Sequence, residues 1–234
     1  MTAAAERWLR VAAALSASGA AEVTTIGLCR ACAALLSVVG AAIVVIAGEG
    51  AVELAYASDG AIGALEELQF TLGVGPGLEA YDWGVPVDED DLVAHPPERW
   101  PGFVGPAVAA GMRAMFSFPL AVGAARVGAL SLYQDRAGPL DASGYADALV
   151  AAGFVTRALL GLQAGALGSS LAAELADNSV DRAEVHQASG MISAQLDVGV
   201  GEALTRLRAW AFTEGTTVRV AAAEVVARRT RFGL

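Results

Sequence analysis

Apolar residues recur every three to four positions through residues 3–17 and 21–38, the spacing of two amphipathic helices. The period then changes. "GAAIVVIAGEGAVELAYAS" holds two β-rich runs around Gly48-Glu49-Gly50, which predicts a hairpin. "DGAIGALEELQF" predicts a short helix or turn. "LGVGPGLEAYDWGVPV" places Gly73, Gly75 and Gly77 ahead of another short helix and a strand-like run over 85–88. A proline-punctuated loop, "HPPERWPGFVGPAVAAG", leads into a helix. "MRAMFSFPLAVGAARVGALSLYQD" then reads as a second hairpin turning near Gly123. Its alternation sets Met115, Ser117 and Pro119 on one face and Phe116, Phe118 and Leu120 on the other.

From Asp141 to about Asn178 the pattern is one long helix, with a broken stripe at Leu149, Leu160, Leu167, Leu171 and Leu175. Gly153, Gly161, Gly165 and Gly168 weaken it, each by roughly 1 kcal/mol relative to alanine, and would let two backbones approach closely. This element is expected to be a connector that pairs with its copy in a homodimer. Three shorter helices follow. Val185, Ala188, Ile192 and Leu196 form the first stripe, with Asp181 and Glu184 as a capping-box-like start. Ala203, Leu207, Trp210 and Ala211 form the second, closed by Gly215. Thr216 or Thr217 caps the third, whose buried face is Val218, Ala222, Val225 and Val226. Antiparallel hairpins grouped with helices indicate an α+β fold: an antiparallel sheet with flanking helices, a long connecting helix, then a three-helix bundle. The expected domains are 1–160, a connector over 161–180, and 181–234.

The charge distribution alters this picture. Formal net charge is −10, and every one of the fifteen basic residues is arginine. Residues 1–160 carry seventeen acids against eight arginines, whereas 204–234 carry six arginines against Glu214 and Glu224, a local balance of +4. An acidic body with a basic end suggests that this end handles a polyanion. Arginine also offers planar, bidentate contacts to phosphate and base edges.

Other candidate chemistry is thin. Cys29-x-x-Cys32 lies inside an apolar helical run and reads as two small buried hydrophobes rather than a redox pair. The only histidines are His95 and His186, too few ligands for a metal site, and the acidic run Asp88–Asp91 reads as a solvated loop. The glycines at 73, 75 and 77 have no Lys and no Ser/Thr behind them, so a phosphate-cradling loop is not indicated. The apolar window 31–47 is at the lower limit for a membrane span and is broken by Ser37 and Gly40. It reads as a buried helix running into a strand. With no signal-peptide order of regions at the N-terminus, the expected compartment is the cytoplasm. No cofactor is indicated.

"VHQASGMISAQLDVGVGEALTRLRAWAFTEGTTVRVAAAEVV" resembles an ANTAR domain, the RNA-binding module of bacterial antitermination regulators. The positions that carry the likeness are Gln187-Ala188, Gly190-Met191-Ile192, Glu202-Ala203, Leu207, Arg208, Ala211, Val218 and Val225-Val226. "LGVGPGLEAYDWGVPV", "ERWPGF" and "AAGMRAMFSFPLAVGAARVGALSLYQDRAGPLD" are similar to a GAF domain. The whole chain thus resembles actinobacterial GAF–ANTAR regulators. That resemblance implies a non-enzymatic sensor joined through a helix to an output that binds paired stem-loops in leader transcripts, as a dimer, and prevents an intrinsic terminator from folding. Two departures stand out. Ser189 replaces the Lys or Arg of many relatives, and Gly199-Val200-Gly201 replaces a Ser/Thr cap and an acid.

The expected RNA contacts are Arg206, Arg208, Arg219, Arg228 and Arg229, with Ser189 and Gly190 allowing close backbone approach. For the sensor half, the expected small-ligand pocket is bounded by Tyr81, Trp83, Phe103, Phe116 and Phe118. Trp210 is expected in the core and His186 at the surface. Two alternatives stand beside this reading: a sensor or dimerisation module with a degenerate output, and a GAF-type methionine sulfoxide reductase. The second would need exposed thiols at Cys29 and Cys32.

Overall fold

The computed structural model describes residues 3–17, 24–47, 51–96, 98–163 and 169–233. The predicted turn at Gly48-Glu49-Gly50 lies outside them, as do Gly165, Leu167 and Gly168 of the predicted connector stripe.

Two helices open the chain, α1 (Ala3–Ala17) and α2 (Thr25–Leu36). Thr24 starts the second, its Oγ1 accepting from the Gly27 amide at 3.0 Å. The hairpin β1 (Gly40–Ala47) and β2 (Ala51–Ala57) follows, then α3 (Gly60–Leu72), α4 (Pro76–Trp83) and the short β3 (Val87–Glu89). Asp59 caps α3 by accepting from the Ala61 and Ile62 amides, and Gly73 ends it in the left-handed conformation at φ +70°. A short α5 (Val104–Ala109) precedes the second hairpin, β4 (Ala114–Val122) and β5 (Ala125–Gln134).

The five strands form one antiparallel sheet in the order β2-β1-β5-β4-β3, so the two hairpins meet along β1 and β5. The α+β architecture expected from the sequence is the one observed. α6 (Ala142–Gln163) returns across the sheet beside α1 and α2. These helices cover one face with Ile43, Val45, Phe116, Phe118, Leu120, Leu130 and Leu132 in a single apolar cluster. The opposite face carries Ala42, Met115 and Tyr133, under α3, α4 and α5.

The long helix predicted from Asp141 to about Asn178 is helical at its described residues, α6 up to Gln163 and α7 from Ser169, with residues 164–168 outside those described, and α7 then runs unbroken to Leu196. Connector and first bundle helix are therefore one element, and Asp181 and Glu184 lie within it rather than at a start. The periodicity is continuous through this stretch, and no residue after Asn178 breaks a helix, so nothing local ends it there. The bundle is completed by α8 (Val200–Thr213) and α9 (Val218–Val226). Gly199 stands at the start of α8 without a side-chain cap, while Thr217 caps α9 by accepting from the Val220 amide at 3.3 Å.

Candidate nucleic-acid interface and its docking on the sheet

The bundle does not stand apart from the rest of the chain. Val185, Ala188, Ile192 and Leu196 of α7, Ala203, Leu207 and Ala211 of α8, and Val218, Ala222 and Val225 of α9 are buried together. The same cluster holds Val44 and Ile46 of β1 and Phe70 of α3. An apolar stripe on the sheet and the end of α3 thus serves as the docking floor for the helices. The polar seam follows the same line. The Val218 amide, one of the unsatisfied donors at the start of α9, donates to Thr71 Oγ1 at 3.3 Å.

Arg208 sits in this seam. Its guanidinium carbon lies 5.4 Å from the centre of the Phe70 ring, and a Cβ placed on Gly73 would come within 3.0 Å of its Nη1. Gly73 therefore does two things: it ends α3 in a left-handed turn and leaves room for an arginine from a helix far along the chain. The Arg208 Nε is buried without a hydrogen-bond partner, and burial holds the guanidinium below its ordinary pKa.

The other expected RNA contacts have different surroundings. Arg206 is exposed and pairs with Glu202 one turn back at 2.6 Å. Arg229 pairs with Glu224 at 2.7 Å, which lowers the Glu224 pKa and raises that of Arg229. Arg219 and Arg228 are exposed, as is Gly190, which has open space where a side chain would be. Ser189 is corrected by the structure: it is only 2% exposed, and its Oγ donates to the Val185 carbonyl at 2.8 Å. It faces the bundle interior, so the cation missing at this position removes no exposed contact here. Arg208 has its head packed against Phe70. His186 is exposed, and Trp210 is half-buried with its ring edge-on to Phe232 at 6.3 Å.

The five residues expected around a ligand pocket do not converge. Phe116 and Phe118 point to the face covered by α1, α2 and α6, whereas Phe103 is buried on the opposite face. Trp83 is 60% exposed and lies 5.7 Å from the Arg99 guanidinium. Tyr81 packs at the edge of the docked bundle, with Arg126 over its ring. Arg99 and the Trp100 indole N–H both donate to Glu79, which ties the crossover loop to α4.

The interior under α3 is instead polar. The Tyr133 hydroxyl donates to Glu66 Oε1 at 2.6 Å, and Gln69 Nε2 donates to Glu66 Oε2 at 3.0 Å. Gln69 Oε1 accepts from the Gly77 amide at 3.0 Å, and Ser117 and Ser131 meet at 3.2 Å. Burial pushes the Glu66 carboxyl up to about 7, against the opposing hydrogen bonds from Tyr133 and Ser131. The Tyr133 hydroxyl is raised for the same reason, with the Glu66 charge adding to it. The sequence signal that was available is Glu66 and Gln69 three apart in a largely apolar helix that also carries Glu67 and Thr71. It is easily taken for surface spacing. α3 thus carries this network on one side and Phe70, Thr71 and Gly73, which meet the bundle, on the other.

Cys29 and Cys32 are buried, and desolvation raises both thiols, that of Cys32 to about 12. Glu89 pairs with His95 at 2.6 Å and Asp91 with Arg113 at 3.2 Å, so the acidic run does not converge on an ion. Among the described residues no group of three or more His, Cys, Asp or Glu could hold a metal, and no helix is long and apolar enough to cross a membrane.

No family model matches this sequence. No curated protein matches it either. Solved structures are similar to it at low identity. One is the GAF domain of a phosphoenolpyruvate-protein phosphotransferase from Coxiella burnetii, with 14% identity, 71% of this chain and 100% of that chain covered, and TM-score 0.48. The GAF domain of the Acinetobacter phosphoenolpyruvate-protein phosphotransferase has 8% identity, coverage of 70% and 97%, and TM-score 0.47. A free methionine-R-sulfoxide reductase from Neisseria meningitidis has 15% identity, coverage of 68% and 95%, and TM-score 0.43. The α+β assignment rests on the sheet order and its flanking helices rather than on these likenesses.

Proposed function

We propose that the protein is a signal-responsive, RNA-binding regulator of transcription antitermination, in which the sensor sheet holds the output bundle docked. The observation that carries this reading is the placement of the arginines. The chain is acidic overall, yet the exposed surface of one three-helix bundle presents Arg206, Arg219, Arg228, Arg229 and Arg231. Repulsion from the acidic body would confine a polyanion to that end. Arg208, at a position of the ANTAR-like motif, is withheld against Phe70 and Gly73. The RNA is a leader-transcript stem-loop pair, and the working unit is a homodimer. A small ligand acting on the sensor would change docking through α3. The burial of both thiols disfavours the sulfoxide reductase alternative, which needs them accessible.

The test is gel-shift binding of the full chain to a tandem stem-loop RNA across a salt series, with Phe70→Ala and Arg208→Ala beside the wild type. Circular dichroism checks that each variant is folded. Phe70→Ala frees Arg208 and should tighten binding several-fold, whereas Arg208→Ala should weaken it about tenfold. Binding should fall with salt, by a log–log slope of about −0.7 for each single-strand phosphate contacted. No binding by either the wild type or a folded Phe70→Ala variant would overturn the reading.

A further inference from the structure

A cavity of about 340 Å³ lies between α7 and the chain leaving α9. Met191, Ala194 and Val225 give it an apolar floor, and Gln195, Arg228 and Arg231 stand around it. Its size is near the lower limit of small-ligand sites, roughly 300 Å³, which suits one nucleotide and little more.

The wall of this cavity is built, not incidental. The Phe232 amide donates to Gln195 Oε1 at 2.9 Å, and Phe232 packs on Trp210, so the tail is folded back over α7. That leaves the Gln195 amide N–H groups as donors. The tail turns at Arg228, which adopts φ +61°, a conformation that normally selects glycine at the end of a helix. A non-glycine residue there carries backbone strain.

The charges point the same way. Arg206 and Arg229 are neutralised by Glu202 and Glu224, and Arg208 is packed in the docking seam. Arg228 and Arg231 have no acidic partner among the described residues, and both are exposed at the one cavity. Two unpaired guanidinium groups beside an apolar floor and an amide donor match a planar base joined to a phosphate.

We propose that this cavity is a nucleotide site that seats one unpaired loop nucleotide of the RNA. The base lies against Met191 and Val225, and its phosphate lies between Arg228 and Arg231. This rests on the RNA reading above and deepens it, because it makes recognition two-part. The nucleotide site is open while the bundle is docked, whereas Arg208 becomes available only on release. A free mononucleotide has the same chemistry, and the test separates the two sources.

The experiment uses the full chain with three probes: a tandem stem-loop RNA, the same strand annealed to its complement as continuous duplex, and AMP. Arg228→Gly is the informative variant, because glycine suits the left-handed turn. It should melt at or slightly above the wild-type temperature while binding the stem-loop RNA about tenfold more weakly. Arg228→Gly/Arg231→Ala should lose about a hundredfold and show a salt slope shallower by about 0.7, the contribution of one single-strand phosphate. The continuous duplex and AMP should bind far more weakly than the stem-loop. If the double variant binds the stem-loop like the wild type with an unchanged slope, the cavity is not the site and the RNA reading stands. Equal binding of the duplex, or tighter binding of AMP, overturns the loop nucleotide as occupant. Absence of stem-loop binding by both the wild type and Phe70→Ala removes the RNA reading and this site together.

Discussion

The two faces of the sheet are built from different chemistry. On the face covered by α1, α2 and α6, the sheet contributes a continuous apolar cluster, from Ile43 and Val45 through Phe116, Phe118 and Leu120 to Leu130 and Leu132. The opposite face mixes Met115 and Ala42 with Ser117, Ser131 and Tyr133, the last bonded to Glu66 and Gln69. Along β1 that face changes again, with Val44 and Ile46 in the apolar floor that receives the bundle. Close-packed apolar contacts have one good arrangement and resist change. Hydrogen-bonded polar groups and a docked helical bundle can change with protonation, ligand or partner. The dry face holds the fold, and the other face is where a signal could act.

The largest effect is expected at Phe118, which is fully buried and packs edge-on to Tyr145 at 5.3 Å. Phe118→Ala should destabilise the chain by about 3–5 kcal/mol in denaturant melts. A change under 1 kcal/mol would mean the dry face is not the main store of stability.

Glu66 gives the next largest effect. Its carboxyl is raised from about 4.5 in the unfolded chain to about 7 in the fold, so the folded state binds more protons between those values. Stability should be highest at the acidic end, fall as pH rises from about 4.5 to about 7, and level off above that. The total is on the order of 3 kcal/mol. Glu66→Gln, a neutral isostere, should flatten this part of the pH–stability curve, and an unchanged curve would show that Glu66 is not its source. Because α3 also carries the docking residues, RNA affinity should shift over the same pH range in the wild type and not in Glu66→Gln.

Gly75 sharpens the same face. It starts α4 at φ +149°, and an added Cβ would collide with the Gln69 side chain that holds the Gly77 amide. Gly75→Ala should cost about 1–3 kcal/mol in thermal melts, through strain and loss of that bond.

The smallest stability effect belongs to Arg208→Leu. It removes a half-buried guanidinium with an unpartnered Nε and keeps the apolar stem, so stability should stay within about 1 kcal/mol of wild type. RNA binding should nevertheless drop as it does for Arg208→Ala. A large loss of stability would instead make Arg208 a structural residue of the docking seam.

Much of the architecture was legible in the residues. Alternation in "MFSFPL" separates Phe116 and Phe118 from Met115 and Ser117, and the structure keeps that division. The three bundle stripes face inward as their spacing requires, and Gly215 and Thr217 act at the helix ends where their chemistry places them. The candidate sites were less legible. Ser189 looked like surface because a serine is polar, yet its hydroxyl is satisfied by the preceding turn of its own helix, which makes burial inexpensive. The aromatic residues expected to line one pocket lie on opposite faces because their distances in sequence say nothing about which side of the sheet each helix covers.

What the sequence determined by itself is the set of elements, their apolar faces and their caps, since these follow from periods of two and 3.6 residues and from bonds within a few positions. What only the tertiary structure decided is which face meets which. Val218 bonds to Thr71, Arg208 packs on Phe70, and the tail closes over Gln195. The first two join the C-terminal bundle to α3 across most of the chain. Burial of apolar surface is non-directional, so a pattern along the chain shows that a face will be covered and leaves its partner open. The same step set apart arginines that look alike in sequence: Arg208 is hidden, Arg206 and Arg229 are paired with acids of the bundle, and Arg228 and Arg231 stand open at a cavity.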